Sequence, residues 1–236
     1  MVLKDDLDPE ALAAAFARHG RLQIGSFLRH DAAIALYREL LGASGWKLAV
    51  NRGTMIHDHD EAEIAEWPPE KRAAFERELF AAGRDGFQFR YDALRIDRNS
   101  AAAAPPMLRA FFDLINDPAT IGFMRTLTGL ADIAFADAHA TRYRTGHFLT
   151  AHDDLNDQMG RRVAYVMNLT PQWRPDWGGY LQFYDERGNL SEGFVPAFNV
   201  MNLFRVPQPH SVSWVTPLAG AARYSVTGWL RAGRPD

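Results

Sequence analysis

The sequence of 236 residues contains no cysteine. This absence excludes disulfide bonds, thiolate zinc sites, iron–sulfur clusters and a cysteine nucleophile. Any bound metal must therefore be held by histidine nitrogens and oxygen ligands. Such a ligand set favours Fe(II), Mn or zinc in a site without thiolates.

Long apolar runs and an excess of positive charge are also missing. No apolar run is long enough to span a bilayer, and the start MVLKDDLDPEALAAAF lacks the basic and then apolar pattern of a secretory signal. The formal net charge of −3 disfavours electrostatic binding to nucleic acid or to an anionic membrane. We therefore expect a soluble, cytoplasmic protein with neither partner; its oligomeric state is left open.

The sequence predicts one catalytic domain, residues 1–236, whose two parts differ in their residue patterns. Residues 1–130 predict a mostly helical support, because amphipathic patterns with helix-terminating signals recur along them. Residues 131–236 predict short strands separated by Gly, Pro, Asn and Asp, which is typical of a β-sandwich or barrel. The predicted helices are 8–20, 30–42, 68–83 and the helical region 105–129, and the predicted N-terminal strands lie within 21–28 and 85–96.

The segment AHDDLNDQMG, residues 151–160, carries the first half of a candidate metal site. If the strand ending near Ala151 continues through it, His152 and Asp154 share a face, because strand side chains alternate. His210 follows VPQP, whose prolines restrict the backbone. Together the three residues would make a two-histidine, one-carboxylate facial triad, as in non-haem Fe(II) oxygenases. Three adjacent positions stay open, for a bidentate 2-oxo acid and O2.

A cationic anchor for 2-oxoglutarate is available one hairpin further on. Arg223 in RYSVTGW can bind a carboxylate through two parallel hydrogen bonds, and Ser225 lies on the same strand face with one more donor. A metal-dependent isomerase or dioxygenase of the cupin type, which uses no 2-oxo acid, needs no such anchor. The pair therefore favours a 2-oxoglutarate enzyme.

These elements resemble those of the prolyl 4-hydroxylase-like Fe(II)/2-oxoglutarate oxygenases. The likeness runs in order through YRTGHFLTAHDD, RRVAYVMNLTPQWRPDWGGYLQFYD, PQPHSVSWV and RYSVTGW, and covers roughly residues 140–232. The Trp-Gly-Gly and Arg-x-Ser elements look most like the ribosomal-protein prolyl hydroxylase branch. The resemblance implies a double-stranded β-helix (jelly-roll) core with helices, Fe(II), 2-oxoglutarate and O2. Ascorbate is a further candidate cofactor.

The resemblance also implies roles for individual residues. His152, Asp154 and His210 match the iron ligands, Arg223 matches the residue that binds the 5-carboxylate of 2-oxoglutarate, and Ser225 assists. Tyr143 matches a tyrosine that donates to the co-substrate. Asn168 departs from the pattern, because animal oxygen-sensing relatives have a co-substrate-binding tyrosine there. Collagen-type enzymes have lysine in place of Arg223, and the fungal enzymes add a second, degenerate barrel domain.

Other chemistry-bearing residues have simpler interpretations. His139 and His147 are expected to be structural, with His147 also a candidate for lining the pocket. The segment MIHDHDEAE, residues 55–63, is expected to be a solvated loop; a substrate lid is its alternative, and metal binding by His57 and His59 is less favoured.

The aromatic residues divide into two groups. Trp173 and Trp177 either stack as a hairpin cap or contact an extended prolyl peptide, since aromatic grooves bind such peptides. The Trp and Phe residues of the strands, in VSWV and VTGW, are assigned to the core.

The sequence supports an Fe(II)- and 2-oxoglutarate-dependent dioxygenase that hydroxylates a prolyl residue in a protein. A hydroxylase of a free amino acid or small metabolite is the first alternative. The second is a sensor that binds metal and 2-oxoglutarate without turnover.

Overall fold

The computed structural model describes residues 1–96 and 104–233. The helices in these ranges are α1 (Pro9–His19), α2 (His30–Gly42), α3 (Glu61–Ala65), α4 (Pro69–Asp85), α5 (Pro106–Ile115) and α6 (Pro118–Thr128). The strands are β1 (Arg21–Gly25), β2 (Lys47–Arg52), β3 (Met55–Asp60), β4 (Phe89–Arg95), β5 (Ile133–Ala136), β6 (His139–Tyr143), β7 (Phe148–His152), β8 (Arg161–Asn168), β9 (Leu181–Tyr184), β10 (Leu190–Phe194), β11 (Val200–Arg205), β12 (His210–Val212) and β13 (Arg223–Ala232).

The strands form one curled antiparallel sheet. Its main path runs β1-β11-β8-β13-β6-β4-β7-β12-β9-β10; β2 pairs with β3 and β4, and β5 pairs with β13. Helices pack against this sheet, so the predicted class, mainly β with α, is confirmed.

The first helix shows how the sequence sets local structure. The side chain of Asp8 accepts hydrogen bonds from the backbone N–H groups of Glu10 and Ala11, which have no partner inside the helix. Gly20 ends the helix at φ 66°, a left-handed conformation that glycine adopts without a steric penalty. The helix predicted over 8–20 is confirmed.

Strand β13 separates the main core from the interior of the curled sheet. Its residues Tyr224, Val226 and Leu230 belong to the large apolar core that also contains residues of α1, α2, α5 and α6. Arg223 and Trp229 each lie an odd number of positions from these core residues, so they point to the other face, where they line a cavity. Both faces of this central strand are therefore covered.

The N-terminal part contains more strand than the sequence analysis predicts. Residues 55–63, expected to be a solvated loop, form β3 and the start of α3, and β3 pairs along its length with β2. The histidines of MIHDHD are half-buried while the aspartates are exposed, which is the period of a strand. His59 packs edge-on against Trp67 and Phe75, at ring-centroid distances of 5.5 and 5.7 Å. This aromatic contact stabilises the strand despite its polar sequence.

The helical region predicted over 105–129 is two helices. Chain direction changes at Asn116 and Asp117, where Pro118 begins α6 and Asp117 caps it by accepting from the backbone N–H of Ala119. Proline at the first helical position lacks only an N–H that would be unpaired there. Within the described ranges, every helix falls short of the combined length and apolar character that a bilayer crossing needs.

Candidate metal centre and co-substrate pocket

A cavity of about 350 Å³ opens inside the curled sheet. Its walls come from β4, β6, β7, β8, β12 and β13, so residues distant in sequence meet there. Aromatic and aliphatic side chains supply most of its surface. The polar groups that bear on chemistry are His152, Asp154, His210, Arg161, Tyr143 and Arg223.

The two histidines face each other across one pair of strands. His152, at the end of β7, lies directly opposite His210, the first residue of β12, and their ring centroids are 4.1 Å apart. Strand pairing therefore positions two of the three predicted ligands.

Asp154 reaches the same point by a different route from the one predicted. Strand β7 ends at His152, and Asp154 follows it in a left-handed conformation, φ 63°. The predicted continuation of the strand through His152 and Asp154 is therefore wrong. Aspartate tolerates this conformation better than most residues, and the turn aims its carboxylate between the two rings.

The three side chains converge closely enough to hold one ion. Asp154 Oδ1 lies 3.4 Å from His152 Nε2, and Asp154 Oδ2 lies 3.5 Å from His210 Nε2. All three ligand atoms lie within 4.8 Å of one another. Ligands about 2.1 Å from an ion and at right angles are about 3.0 Å apart, so the set fits a metal after small movements.

Backbone carbonyls fix which ring nitrogen faces the ion. His152 Nδ1 lies 3.0 Å from the carbonyl oxygen of Thr150, and His210 Nδ1 lies 2.8 Å from that of Gln208. A carbonyl only accepts, so each Nδ1 carries the hydrogen and each Nε2 keeps its lone pair for a metal. Burial, followed by the neighbouring His152, lowers the pKa of His210 to about 4, so its ring is neutral near pH 7.

The carboxylate is ionised as a metal ligand requires. Burial alone would raise the pKa of Asp154, but the neighbouring His152, His210 and Trp229 lower it below the ordinary value. Trp229 Nε1 donates to Oδ2 over 2.9 Å.

Arg223 is a buried cation with an incomplete set of partners. Its Nη1 donates to the carbonyl oxygen of Gly179 over 3.0 Å, and Nη2 reaches Asn168 Oδ1 at 3.5 Å. Its Nε is buried and has no acceptor within residues 1–96 and 104–233. Burial lowers the pKa of this guanidinium to about 10, so it stays charged. A carboxylate in the cavity would supply the missing acceptor.

Tyr143 and Ser225 differ in their access to the cavity. Tyr143 lines it, and the Arg223 guanidinium carbon lies 5.2 Å from the centroid of its ring. Burial raises the pKa of Tyr143, so its hydroxyl remains a neutral donor. Ser225 lies behind the lining; its buried Oγ lacks a partner among the described residues.

Asn168 has a supporting position in place of the tyrosine of animal relatives. It is fully buried and outside the cavity lining, and its Nδ2 donates to the carbonyl oxygens of Val166 and Val200. Its Oδ1 is thereby turned toward Arg223.

Two residues at the metal centre were missed by the sequence analysis. Trp229 lines the cavity, so its assignment to the core is wrong. Its distance of six positions from Arg223, an even number, is the signal that would have placed it on the same face. Arg161 lies over Trp229, with its guanidinium carbon 3.6 Å from the ring centroid. The alternation of side chains along β8 does not by itself indicate that Arg161 belongs to the metal centre.

Other predicted candidates lie away from the triad or in its walls. His139 is in the cavity wall, where burial lowers its pKa to about 3. His147 is buried, as expected of a structural residue, and it lines a different cavity with Arg90 and Arg144, so its less favoured alternative role in the metal pocket is wrong. In the part of the chain that the structure describes, His57 and His59 join no metal-binding group. Trp214, assigned to the core, is 42% exposed.

The two tryptophans of the 170–180 segment act as a cap. Trp173 and Trp177 contact edge-to-face at 5.1 Å, and Trp173 Nε1 donates to the carbonyl oxygen of Gly178. Neither lines the triad cavity. Of the two interpretations left open, the structure favours the cap.

Comparison with known proteins agrees with this geometry. Residues 138–231 match the family model of the 2OG-Fe(II) oxygenase superfamily. The similarity to that superfamily covers this C-terminal part of the chain. The matched region contains the triad and Arg223, and the resemblance drawn from the sequence is confirmed.

Two curated relatives are prolyl 3-hydroxylases named OGFOD1. The mouse protein is 31% identical over 101 residues and the Xenopus laevis protein 34% identical over 101 residues; both alignments cover 40% of this chain. The chain spans only 18% and 19% of the lengths of these relatives.

Solved structures confirm the jelly-roll fold. A Pseudomonas putida prolyl-4-hydroxylase has a TM-score of 0.63 at 19% identity, covering 96% of this chain and all of that one. A Trichoplax adhaerens prolyl hydroxylase, solved with a hypoxia inducible factor peptide, has a TM-score of 0.61 at 17% identity, covering 95% and 89%.

Proposed function

We propose that this protein is an Fe(II)- and 2-oxoglutarate-dependent dioxygenase. One observation carries the proposal: a histidine–aspartate–histidine triad and an incompletely partnered, buried arginine line the same cavity. The proposed ligands are His152, Asp154 and His210. Arg223 and Tyr143 are the proposed 2-oxoglutarate residues.

Ser225 has a more indirect proposed part in co-substrate binding. Its buried Oγ is on the Arg223 face of β13 and is free to donate, although it lies behind the cavity wall. We propose that this hydroxyl assists Arg223 in holding the co-substrate.

The protein's own contribution is binding, orientation and exclusion of water. The iron would supply oxidation chemistry with O2 and 2-oxoglutarate. Arg223 and Tyr143 would hold the far carboxylate of the co-substrate, because both present donors in a buried wall where charge-assisted hydrogen bonds are strong. Phe89, Leu149 and Phe204 would keep bulk water from the reacting groups.

The proposed substrate is a prolyl residue in a polypeptide, first of all in a ribosomal protein. Three apolar side chains favour the proposal of an extended substrate. Ile56, Phe87 and Leu155 line the cavity and are also exposed to solvent. Such residues at a cavity mouth are suited to contact flanking peptide. The names of the relatives, prolyl hydroxylases, point the same way.

Product mass tests the substrate. The protein would be incubated with Fe(II), 2-oxoglutarate and proline-containing ribosomal-protein peptides, and with free amino acids in parallel. A gain of one oxygen on a peptide, with succinate formed in equal amount, supports the proposal. Oxygen gained only by a free amino acid supports the first alternative, and no gain despite metal and 2-oxoglutarate binding supports the sensor.

Asp154→Ala and Asp153→Ala form a matched pair for the ligand assignment. We expect Asp154→Ala to abolish metal binding and turnover, because two neutral imidazoles alone neither complete the triad nor offset the ion's charge. Asp153, whose Oδ1 caps the backbone N–H of Leu155, should be dispensable for metal. Full activity of Asp154→Ala would contradict the assignment.

Two further expectations concern conditions rather than the site. We propose ascorbate as a stimulating reductant, tested by adding it to repeated turnovers. The cytoplasmic location stays a prediction, which fractionation of expressing cells would test.

A further inference from the structure

We propose that Trp229 and Arg161 are positioning residues that hold Asp154 in its metal-binding orientation before a metal binds. This inference rests on the metal site of the proposed function. It assigns to these two side chains a part in metal affinity.

Asp154 needs such support because of its backbone. It lies beyond the last residue of β7 and has φ 63°, a conformation that aspartate tolerates better than most residues but that still costs more than it does for glycine. The strand ladder cannot hold it, since β7 ends at His152. Other contacts must therefore offset the strain and set the direction of the carboxylate.

Trp229 supplies the contact to the side chain. Its Nε1 donates to Asp154 Oδ2 over 2.9 Å, a hydrogen bond to a charged acceptor. The indole is itself held in place, because the Trp229 backbone N–H donates to Asp137 Oδ1 over 2.7 Å and the residue pairs with Ala164 of β8. The donor is therefore attached to a central strand of the sheet.

Arg161 supplies the contact to the backbone. Its Nη1 donates to the carbonyl oxygen of Asp154 over 3.3 Å and lies 3.6 Å from Oδ1. The guanidinium stacks on the Trp229 ring, so the two residues brace each other. Between them they contact both the main chain and the carboxylate of the left-handed residue.

The consequence is a site organised in advance. Rotating the carboxylate away from the histidines would break its hydrogen bond with Trp229. The ion therefore meets three ligand atoms that already lie close together. Because binding does not have to order them, this arrangement favours binding. Groups that orient metal ligands in this way commonly change metal affinity by about 10- to 100-fold.

Trp229→Phe tests the inference, with Trp214→Phe as its control. The first substitution keeps a ring beneath Arg161 and removes the N–H donor. Trp214 stacks on Phe148 and lines a separate cavity. Mn(II), a redox-inert probe of an Fe(II) site, is titrated into each metal-free, full-length protein, and free Mn(II) is followed by electron paramagnetic resonance.

We expect Trp229→Phe to bind Mn(II) about 10- to 100-fold more weakly than wild type. The melting temperature of the metal-free variant should stay close to that of Trp214→Phe, which a merely structural role would not predict. Wild-type affinity in Trp229→Phe would overturn the inference.

Two further outcomes distinguish a failure of this inference from a failure of the proposed function. If Trp229→Phe does not fold, Arg161→Met, which keeps an apolar side chain over the indole and removes the guanidinium, decides in its place: wild-type affinity overturns the inference, and a similar loss supports it. If wild type itself binds no Mn(II), the proposed function fails and the inference fails with it. Wild-type binding with unchanged variants refutes the inference alone.

Discussion

Arg223 is a buried charge whose hydrogen bonds are incomplete without a ligand. Burial of a charged group costs free energy that its contacts with Gly179 and Asn168 only partly offset. Residues kept for binding often reduce the stability of the free protein in this way. The cost and the binding function can be separated by substitution.

Arg223→Met should affect stability and co-substrate binding in opposite directions. Methionine fills similar space without a charge, so we expect the free energy of unfolding of the ligand-free protein to be unchanged or higher by about 1–3 kcal/mol. Binding of 2-oxoglutarate should be lost. Urea unfolding and a 2-oxoglutarate titration check the two effects, and a stable variant that retains normal affinity would show that Arg223 is not the anchor.

Because of the buried His147, we expect the free energy of unfolding to decrease in acid. Burial, followed by the nearby Arg144, Arg90 and Arg142, lowers its folded-state pKa to about 3, whereas an unfolded histidine has a pKa of about 6.5. Below pH 6.5 the unfolded state therefore binds a proton that the folded state does not. Its contribution to stability is complete above pH 6.5 and falls as the pH decreases toward 3.

The corresponding measurement compares urea unfolding at pH 7.5 and pH 5. We expect His147→Gln to reduce the stability lost between these pH values by about 2 kcal/mol relative to wild type. The loss that remains in the variant should come in part from His139 and His210, whose pKa values are lowered to about 3 and about 4. Replacing the exposed His19 serves as the control, and an equal loss in wild type and His147→Gln would refute the assignment.

At the scale of elements, the site depends on how β13 packs beside the 133–138 segment. Gly228 lies against the backbone carbonyl of Asp137, where a methyl group would collide. The next residue, Trp229, bonds to Asp137 through its backbone and to Asp154 through its indole. The close approach at Gly228 thus places the indole at the metal centre.

Gly228→Ala should therefore destabilise the protein by about 1–3 kcal/mol, because backbone must move to admit the methyl group. Gly25→Ala, at a position with open space around it, is the control and should change stability little. Thermal unfolding of both variants checks this prediction. Equal melting temperatures would mean that the β13 contact relaxes without cost.

Elements that are stabilised locally can be predicted from the sequence, whereas elements that depend on distant contacts cannot. The helices near 8–20 and 30–42 follow from apolar spacing, and Asp8 and Gly20 mark the ends of the first. Strand β3 could not be predicted from MIHDHD, because its stabilising contacts, such as that of His59 with Phe75, depend on helix α4, which follows later in the chain. Tertiary packing outweighs local polarity there.

For the whole molecule, the sequence predicts the chemical identity of the site better than its construction. His152, Asp154, His210 and Arg223 are predictable because metal and carboxylate binding restrict residue type and order. The left-handed turn at Asp154 is not predictable, since no periodicity encodes it. Trp229 has the residue type of a core position, and only its even spacing from Arg223 along β13 indicates that it faces the cavity.

One cavity is proposed to bind Fe(II) and 2-oxoglutarate together, and an anaerobic titration can detect both at once. Fe(II) and 2-oxoglutarate are added to wild type and to Arg223→Met, and the visible charge-transfer band of the chelate is followed. The account predicts a band in wild type, and a weaker band or a much higher 2-oxoglutarate requirement in the variant. Absence of the band in folded, iron-loaded wild type would contradict the account.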